Sequence, residues 1–171
     1  MNGIEFFHHP SQQSPADLLW GIHVDGLDLR ARTAWATREL WRPELDDQFA
    51  DQERESADLI WNGHAGLSVG DFAHLHDHFL SDSDSDSDAD APVPLLGCPC
   101  GLWFCWPLMA RVTPAPTTVV WSSFRYPERE HWGDLPLGPF TFDRAAYETA
   151  LRSPKTLTKD PLGPAPAGLG V

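Results

Sequence analysis

The three cysteines of the chain, Cys98, Cys100 and Cys105, all lie within residues 95–108, in the pattern C-x-C-G-x-x-x-C-W-P-L. Thiolates are good zinc ligands, and they are also nucleophiles and redox groups. The pattern therefore predicts either a metal site or a cluster of reactive thiols. A third interpretation stays open, in which the cysteines are small buried apolar side chains of a β-rich core.

A zinc site at these cysteines needs a particular local geometry and a fourth ligand. Residues two apart on a strand point to the same face, so Cys98 and Cys100 are expected to converge. Gly101 permits a turn that brings Cys105 back toward them. We take His131 as the candidate fourth ligand, because it belongs to the more clearly patterned C-terminal half. The C-x-C spacing departs from the C-x2-C to C-x4-C pairs of most structural zinc sites.

A second set of candidate metal ligands is the histidine group His74, His76 and His78. On a helix, His74 and His78 share one face, which suits metal binding. This group predicts an alternative function, a metal-dependent hydrolase that activates a metal-bound water. The competing interpretation is an exposed polar helix face, because histidine is common on protein surfaces.

Composition limits the classes of partner. The formal net charge is −13 over 171 residues, and such an acidic surface repels the phosphates of nucleic acids. We therefore expect no nucleic-acid partner, and the partner class that the charge favours is a basic protein. The hydrophobic fraction of 42% is enough to build a core.

The expected compartment is the cytoplasm. The N-terminal residues lack the basic and apolar regions of a signal peptide. Since no apolar stretch approaches the roughly 20 residues of a membrane helix, we expect no membrane partner either. Three cysteines cannot all pair within one chain, and in a reducing compartment close cysteines favour metal or thiol chemistry over disulfides. The oligomeric state does not follow from the sequence.

The strand, turn and helix patterns of the sequence predict an α+β fold, in which a small antiparallel sheet packs against two or three helices. Asp25-Gly26 indicates a tight turn after a strand at 18–24. Residues 102–112 and 117–124 predict a hairpin around the turn 113–116. The predicted helices cover residues 33–41, ended by Pro43, then 69–80 and 142–152.

We expect residues 1–152 to form a single α+β domain. Within it, the Ser/Asp repeat at 81–90 is too polar to fold alone and is interpreted as an acidic loop insertion. Residues 153–171 are rich in proline and glycine, which predicts a flexible tail.

Four motifs in the C-terminal half carry a resemblance. They are L-L-G-C-P-C-G-x-x-x-C-W-P-L at 95–108, V-x-W-S-x-F at 119–124, P-x-R-x-x-W at 127–132 and G-P-F-x-F-D-R-A-x-Y-E-x-A-L at 138–151. In this order they resemble a family of small uncharacterised bacterial proteins. The resemblance implies a shared fold and a shared cysteine core, and no reaction. The family often has histidine where this chain has Glu128, and its members are shorter where this chain has the Ser/Asp repeat.

Three hypotheses about function follow. The first is a non-enzymatic accessory or protein-interaction protein with a cysteine cluster, with or without bound zinc. The second is the metal-dependent hydrolase, and the third is an acidic inhibitor or immunity-type protein that neutralises a basic partner. The sequence contains no P-loop, no G-x-G-x-x-G, no G-x-S-x-G and no deaminase signature, so an accessory role is favoured over an enzyme.

Overall fold

The fold consists of two four-stranded sheets and helices that flank them. The computed structural model describes residues 1–49, 51–73, 75, 79–80 and 91–171. In chain order the elements are β1 (Ile4–Pro10), β2 (Leu18–Val24), β3 (Leu27–Asp28), α1 (Leu29–Phe49), α2 (Glu53–Trp61), β4 (Val93–Leu96), β5 (Leu108–Pro114), β6 (Thr118–Arg125), β7 (Phe140–Asp143), α3 (Arg144–Arg152) and β8 (Lys155–Thr156). Short 3-10 helices cover Trp103–Cys105 and Pro127–Trp132. The predicted α+β class is confirmed, with two sheets where one was expected.

The first sheet has the strand order β3-β2-β1-β8. Its β1 and β2 are antiparallel, with Ile4 opposite Val24. The predicted turn between β2 and β3 is confirmed, since Asp25 and Gly26 both have positive φ, 52° and 77°, as a tight hairpin turn requires. β8 adds to the other edge of β1 as a parallel strand.

The second sheet is a meander in the order β4-β5-β6-β7, antiparallel throughout. The predicted hairpin is its β5–β6 pair, although its first strand begins at Leu108 and not at residue 102, because a 3-10 helix covers Trp103–Cys105. Both sheets and α3 share one hydrophobic core. Its fully buried aromatic side chains are Phe79, Trp121, Phe124, Phe142 and Tyr147. Within this core the Trp121 indole N–H donates a hydrogen bond of 3.0 Å to the Tyr147 hydroxyl, which satisfies its polar atom in an apolar setting.

Helix α1 is longer than the sequence predicted. The Asp28 carboxylate accepts a hydrogen bond of 2.9 Å from the backbone N–H of Arg30. This bond caps the first turn of α1. The prediction that the helix stops at Pro43 was wrong, because α1 continues through this proline to Phe49. Tertiary packing holds the turn beyond it, since Leu45 is buried and Glu44 forms an ion pair with Arg129. The prediction for 69–80 also fails at its start, where residues 69–73 form turns.

The proline- and glycine-rich residues 153–171, expected to form a flexible tail, lie against the fold in the structure. Asp160 accepts hydrogen bonds from Arg30 at 2.8 and 3.0 Å. The Trp61 indole donates to the Gly163 carbonyl at 2.8 Å. Leu169 is fully buried in a second, smaller core between α1 and α2. The Ser/Asp repeat at 81–90, predicted as a loop insertion, lies outside the described residues.

Candidate metal centre

The cysteines lie on one loop, residues 97–106, which we call the cysteine loop. Its first residue, Gly97, forms two backbone hydrogen bonds with Ala65, of 3.0 and 2.8 Å. Gly101 has φ +96°, and its N–H donates to the Cys98 carbonyl at 3.2 Å. The turn predicted at Gly101 is therefore present. The 3-10 helix Trp103–Cys105 follows directly and returns Cys105 to the first two cysteines.

Two tryptophans anchor this loop to the body of the protein. The Trp103 ring packs edge-on against Phe72, with centroids 5.6 Å apart. The Trp106 ring lies 5.5 Å from Tyr126 and 6.0 Å from Trp41. Each indole contributes a large contact area with few rotatable bonds. The loop between them is thereby held on both sides of Cys105.

The three thiols form a compact group. The Sγ atoms of Cys98, Cys100 and Cys105 all lie within 4.8 Å of one another, and all three cysteines are free. In a tetrahedral site with Zn–S bonds of about 2.3 Å, neighbouring sulfurs are roughly 3.8 Å apart. Cys98 is half-buried, whereas Cys100 and Cys105 are exposed. That exposure does not fit cysteines serving only as buried apolar side chains.

The thiols differ in acidity. Partial burial, followed by hydrogen bonds with the other two thiols, raises the pKa of Cys98 to about 11. A backbone hydrogen bond at Leu102 and a second one with the Cys98 thiol lower the pKa of Cys100. Cys100 therefore ionises more readily than Cys98, and a metal ion must displace the proton from Cys98.

The predicted fourth ligand does not join this group. His131 is an exposed residue whose Nε2 lies 3.8 Å from Oε1 of Glu44, and its ring lies against Trp132. Among the described residues, no histidine, aspartate or glutamate completes the set formed by the three thiols. The alternative ligands His74, His76 and His78 lie outside the described residues, so that site stays a prediction.

An open groove of about 660 Å³ adjoins the thiols, and we call it the indole groove. Its wall includes Trp41, Glu44, Gln48, Leu59, Asn62, Cys98, Cys105, Trp106 and Arg129. Arg129 is ion-paired with Glu44. Its guanidinium carbon lies 4.9, 5.4 and 5.3 Å from the ring centroids of Trp41, Trp106 and Trp132, which are cation–π distances.

A buried histidine supports the start of the loop. The neutral His64 ring carries one N–H, so Nδ1 donates to the Gly97 carbonyl at 3.4 Å and Nε2 accepts from the Tyr126 hydroxyl at 2.8 Å. Desolvation on burial lowers the pKa of His64 to about 4. In the sequence, His64 follows an Asn-Gly pair, a pattern typical of a solvent-exposed turn. The Asn62-Gly63 pair that precedes it gave no signal of this burial.

No family model matches the chain, and no curated protein or solved structure shows significant similarity to it. The resemblance carried by the four C-terminal motifs therefore stays a prediction. In the part of the chain that the structure describes, none of the helices has the length and apolar character needed to cross a bilayer.

Proposed function

We propose that this protein is a zinc-binding accessory protein, in which Cys98, Cys100 and Cys105 hold the ion. The observation that carries this proposal is the mutual approach of the three Sγ atoms to within 4.8 Å. Soft thiolates favour zinc over hard cations such as magnesium or calcium. A reducing compartment, the cytoplasm, would keep all three thiols available for the metal.

The proposed site is open to solvent rather than closed. Structural zinc sites have four protein ligands, whereas sites with three protein ligands hold water or another ligand in the fourth position. Two of the three thiols are exposed, and the described residues supply no fourth ligand. An exchangeable fourth ligand is the property that an accessory protein needs in order to respond to another molecule.

The test is the zinc content of protein purified without a metal-affinity column. We expect close to one zinc per chain in the unaltered protein, and its loss in a Cys98→Ser/Cys100→Ser variant. A His131→Gln variant is the matched control and should keep its zinc, because His131 is exposed and paired with Glu44. Absence of zinc from the unaltered protein, or equal zinc in the double serine variant, would contradict the proposal.

The charge of the chain supports a basic protein as the partner. The formal net charge is −13, and a surface of that sign attracts positively charged proteins over distances of about one Debye length. Such an association weakens as salt concentration rises. An acidic inhibitor of a basic protein is the most specific form of this idea.

A further inference from the structure

The indole groove reaches two of the three proposed zinc ligands. Cys98 and Cys105 are part of its wall, together with apolar and aromatic side chains of α1, α2 and the cysteine loop. Its volume of about 660 Å³ lies within the range of small-molecule sites, roughly 300–1,000 Å³. A zinc ion held by the thiols would therefore lie at the edge of a groove large enough for a second ligand.

The net charge around the proposed zinc ion determines which class of ligand can bind there. A Zn²⁺ ion with three thiolates carries a net charge of −1, so an anionic fourth ligand is disfavoured. The Glu44 carboxylate on the same wall adds negative charge, although Arg129 balances it. A neutral nitrogen donor avoids this repulsion, and imidazole nitrogen is a good zinc ligand.

The side chains that line the indole groove favour a ligand that is flat and apolar. The Trp41 and Trp106 rings lie 6.0 Å apart by their centroids, and the Leu59 side chain, which lines the groove, is 41% exposed. Aromatic ligands gain both apolar burial and ring contacts at such walls. The Gln48 and Asn62 amides also line the groove and offer hydrogen bonds to a ring N–H.

We propose that the indole groove binds a neutral aromatic nitrogen heterocycle of the imidazole type. One ring nitrogen completes the zinc coordination, and the rest of the ring system packs against Leu59 and Trp106. This inference rests on the proposed zinc site, since the ring nitrogen needs the ion. The groove volume of about 660 Å³ favours a free fused heterocycle over the single imidazole ring of a partner's histidine.

The test uses protein loaded with Co²⁺, whose visible absorption reports its coordination. Benzimidazole should change this spectrum saturably, and acetate should not. N-acetylhistidinamide, which represents a partner's histidine, should bind more weakly than benzimidazole. Leu59→Ala should weaken benzimidazole binding about tenfold, the effect of losing one apolar contact. Leu27→Ala is the matched control, since Leu27 is an exposed leucine of β3 outside the groove, and should change nothing.

Each outcome separates the two proposals. If Co²⁺ does not bind, the zinc site fails and this inference fails with it. If Co²⁺ binds but benzimidazole leaves its spectrum unchanged, the zinc site stands and the groove ligand is contradicted. Equal weakening in the Leu59 and Leu27 variants, or tighter binding of acetate or N-acetylhistidinamide than of benzimidazole, would also overturn the inference.

Discussion

Two buried polar side chains, those of His64 and Tyr126, link the cysteine loop to the protein interior. His64 contacts both the loop, through the Gly97 carbonyl, and the core residue Tyr126. Tyr126 is itself almost fully buried, and desolvation raises the pKa of its hydroxyl. A buried polar group without a partner costs on the order of 1–3 kcal/mol. The neutral His64 ring has a hydrogen-bond partner for each of its two nitrogens. Burial makes the protonated, charged ring unfavourable.

The first prediction concerns the pH dependence of stability that comes from His64. Folded His64 has a pKa of about 4 against 6.5 for the free side chain, so the unfolded state binds more protons between these values. Stability should therefore fall as the pH is lowered from 7 to 5, with His64 contributing about 2 kcal/mol of the loss. Urea unfolding at both pH values measures this.

The matched variants for this prediction are His64→Gln and His131→Gln. The first should show a smaller loss between pH 7 and pH 5 than the unaltered protein. Part of the loss should persist, because burial also lowers the pKa of His8 and His9. The second removes an exposed histidine and should behave like the unaltered protein. An unchanged pH dependence in His64→Gln would refute the assignment.

Among the elements of the fold, the cysteine loop depends on a close contact between its first residue, Gly97, and Trp103. A Cβ atom on Gly97 would lie 3.0 Å from both Cα and Cβ of Trp103, tighter than ordinary packing. Trp103 begins the 3-10 helix that carries Cys105. The position of the third thiol is therefore coupled to the absence of a side chain at residue 97.

The second prediction is that Gly97→Ala displaces Trp103, reduces zinc affinity and destabilises the protein by about 1–3 kcal/mol. Competition with a chelator and urea unfolding measure the two effects. Gly163→Ala is the matched control, because an added Cβ there meets nothing within 4 Å. Zinc affinity equal in both alanine variants would show that the loop does not need this contact.

The sequence predicted the parts of the site that are local in the chain, but not the parts that distant residues bring together. Gly101 and the short spacing predicted the return of Cys105, because a turn and a short helix act locally. Glu44, Trp41 and Leu59 were not predicted as groove residues. The Arg129–Glu44 ion pair joins residues 85 positions apart, whereas the glutamates nearest to Arg129 in the sequence are Glu128 and Glu130. Such long-range partners leave no local pattern.

In the molecule as a whole, polar contacts with α1 hold residues 153–171 against the fold. Arg30 is buried between Asp28 and Asp160, with hydrogen bonds of 2.7–3.0 Å to both carboxylates. Arg38 donates to the Leu169 carbonyl at 2.9 Å. Proline- and glycine-rich composition could not predict this, because the partners are backbone carbonyls and one aspartate, which any flexible segment also contains. The α+β class was predictable, because hairpin and helix signals are local.

X-ray absorption spectroscopy at the zinc edge of the whole purified protein is the most direct test of the proposed three-cysteine site. We expect three sulfur neighbours at about 2.3 Å and one nitrogen or oxygen neighbour at about 2.0 Å. That result would mean that the three cysteines of the loop bind the ion and leave one position for an exchangeable ligand. A zinc ion with only nitrogen and oxygen neighbours would contradict zinc binding by the three cysteines, and four sulfur neighbours would contradict the open fourth position.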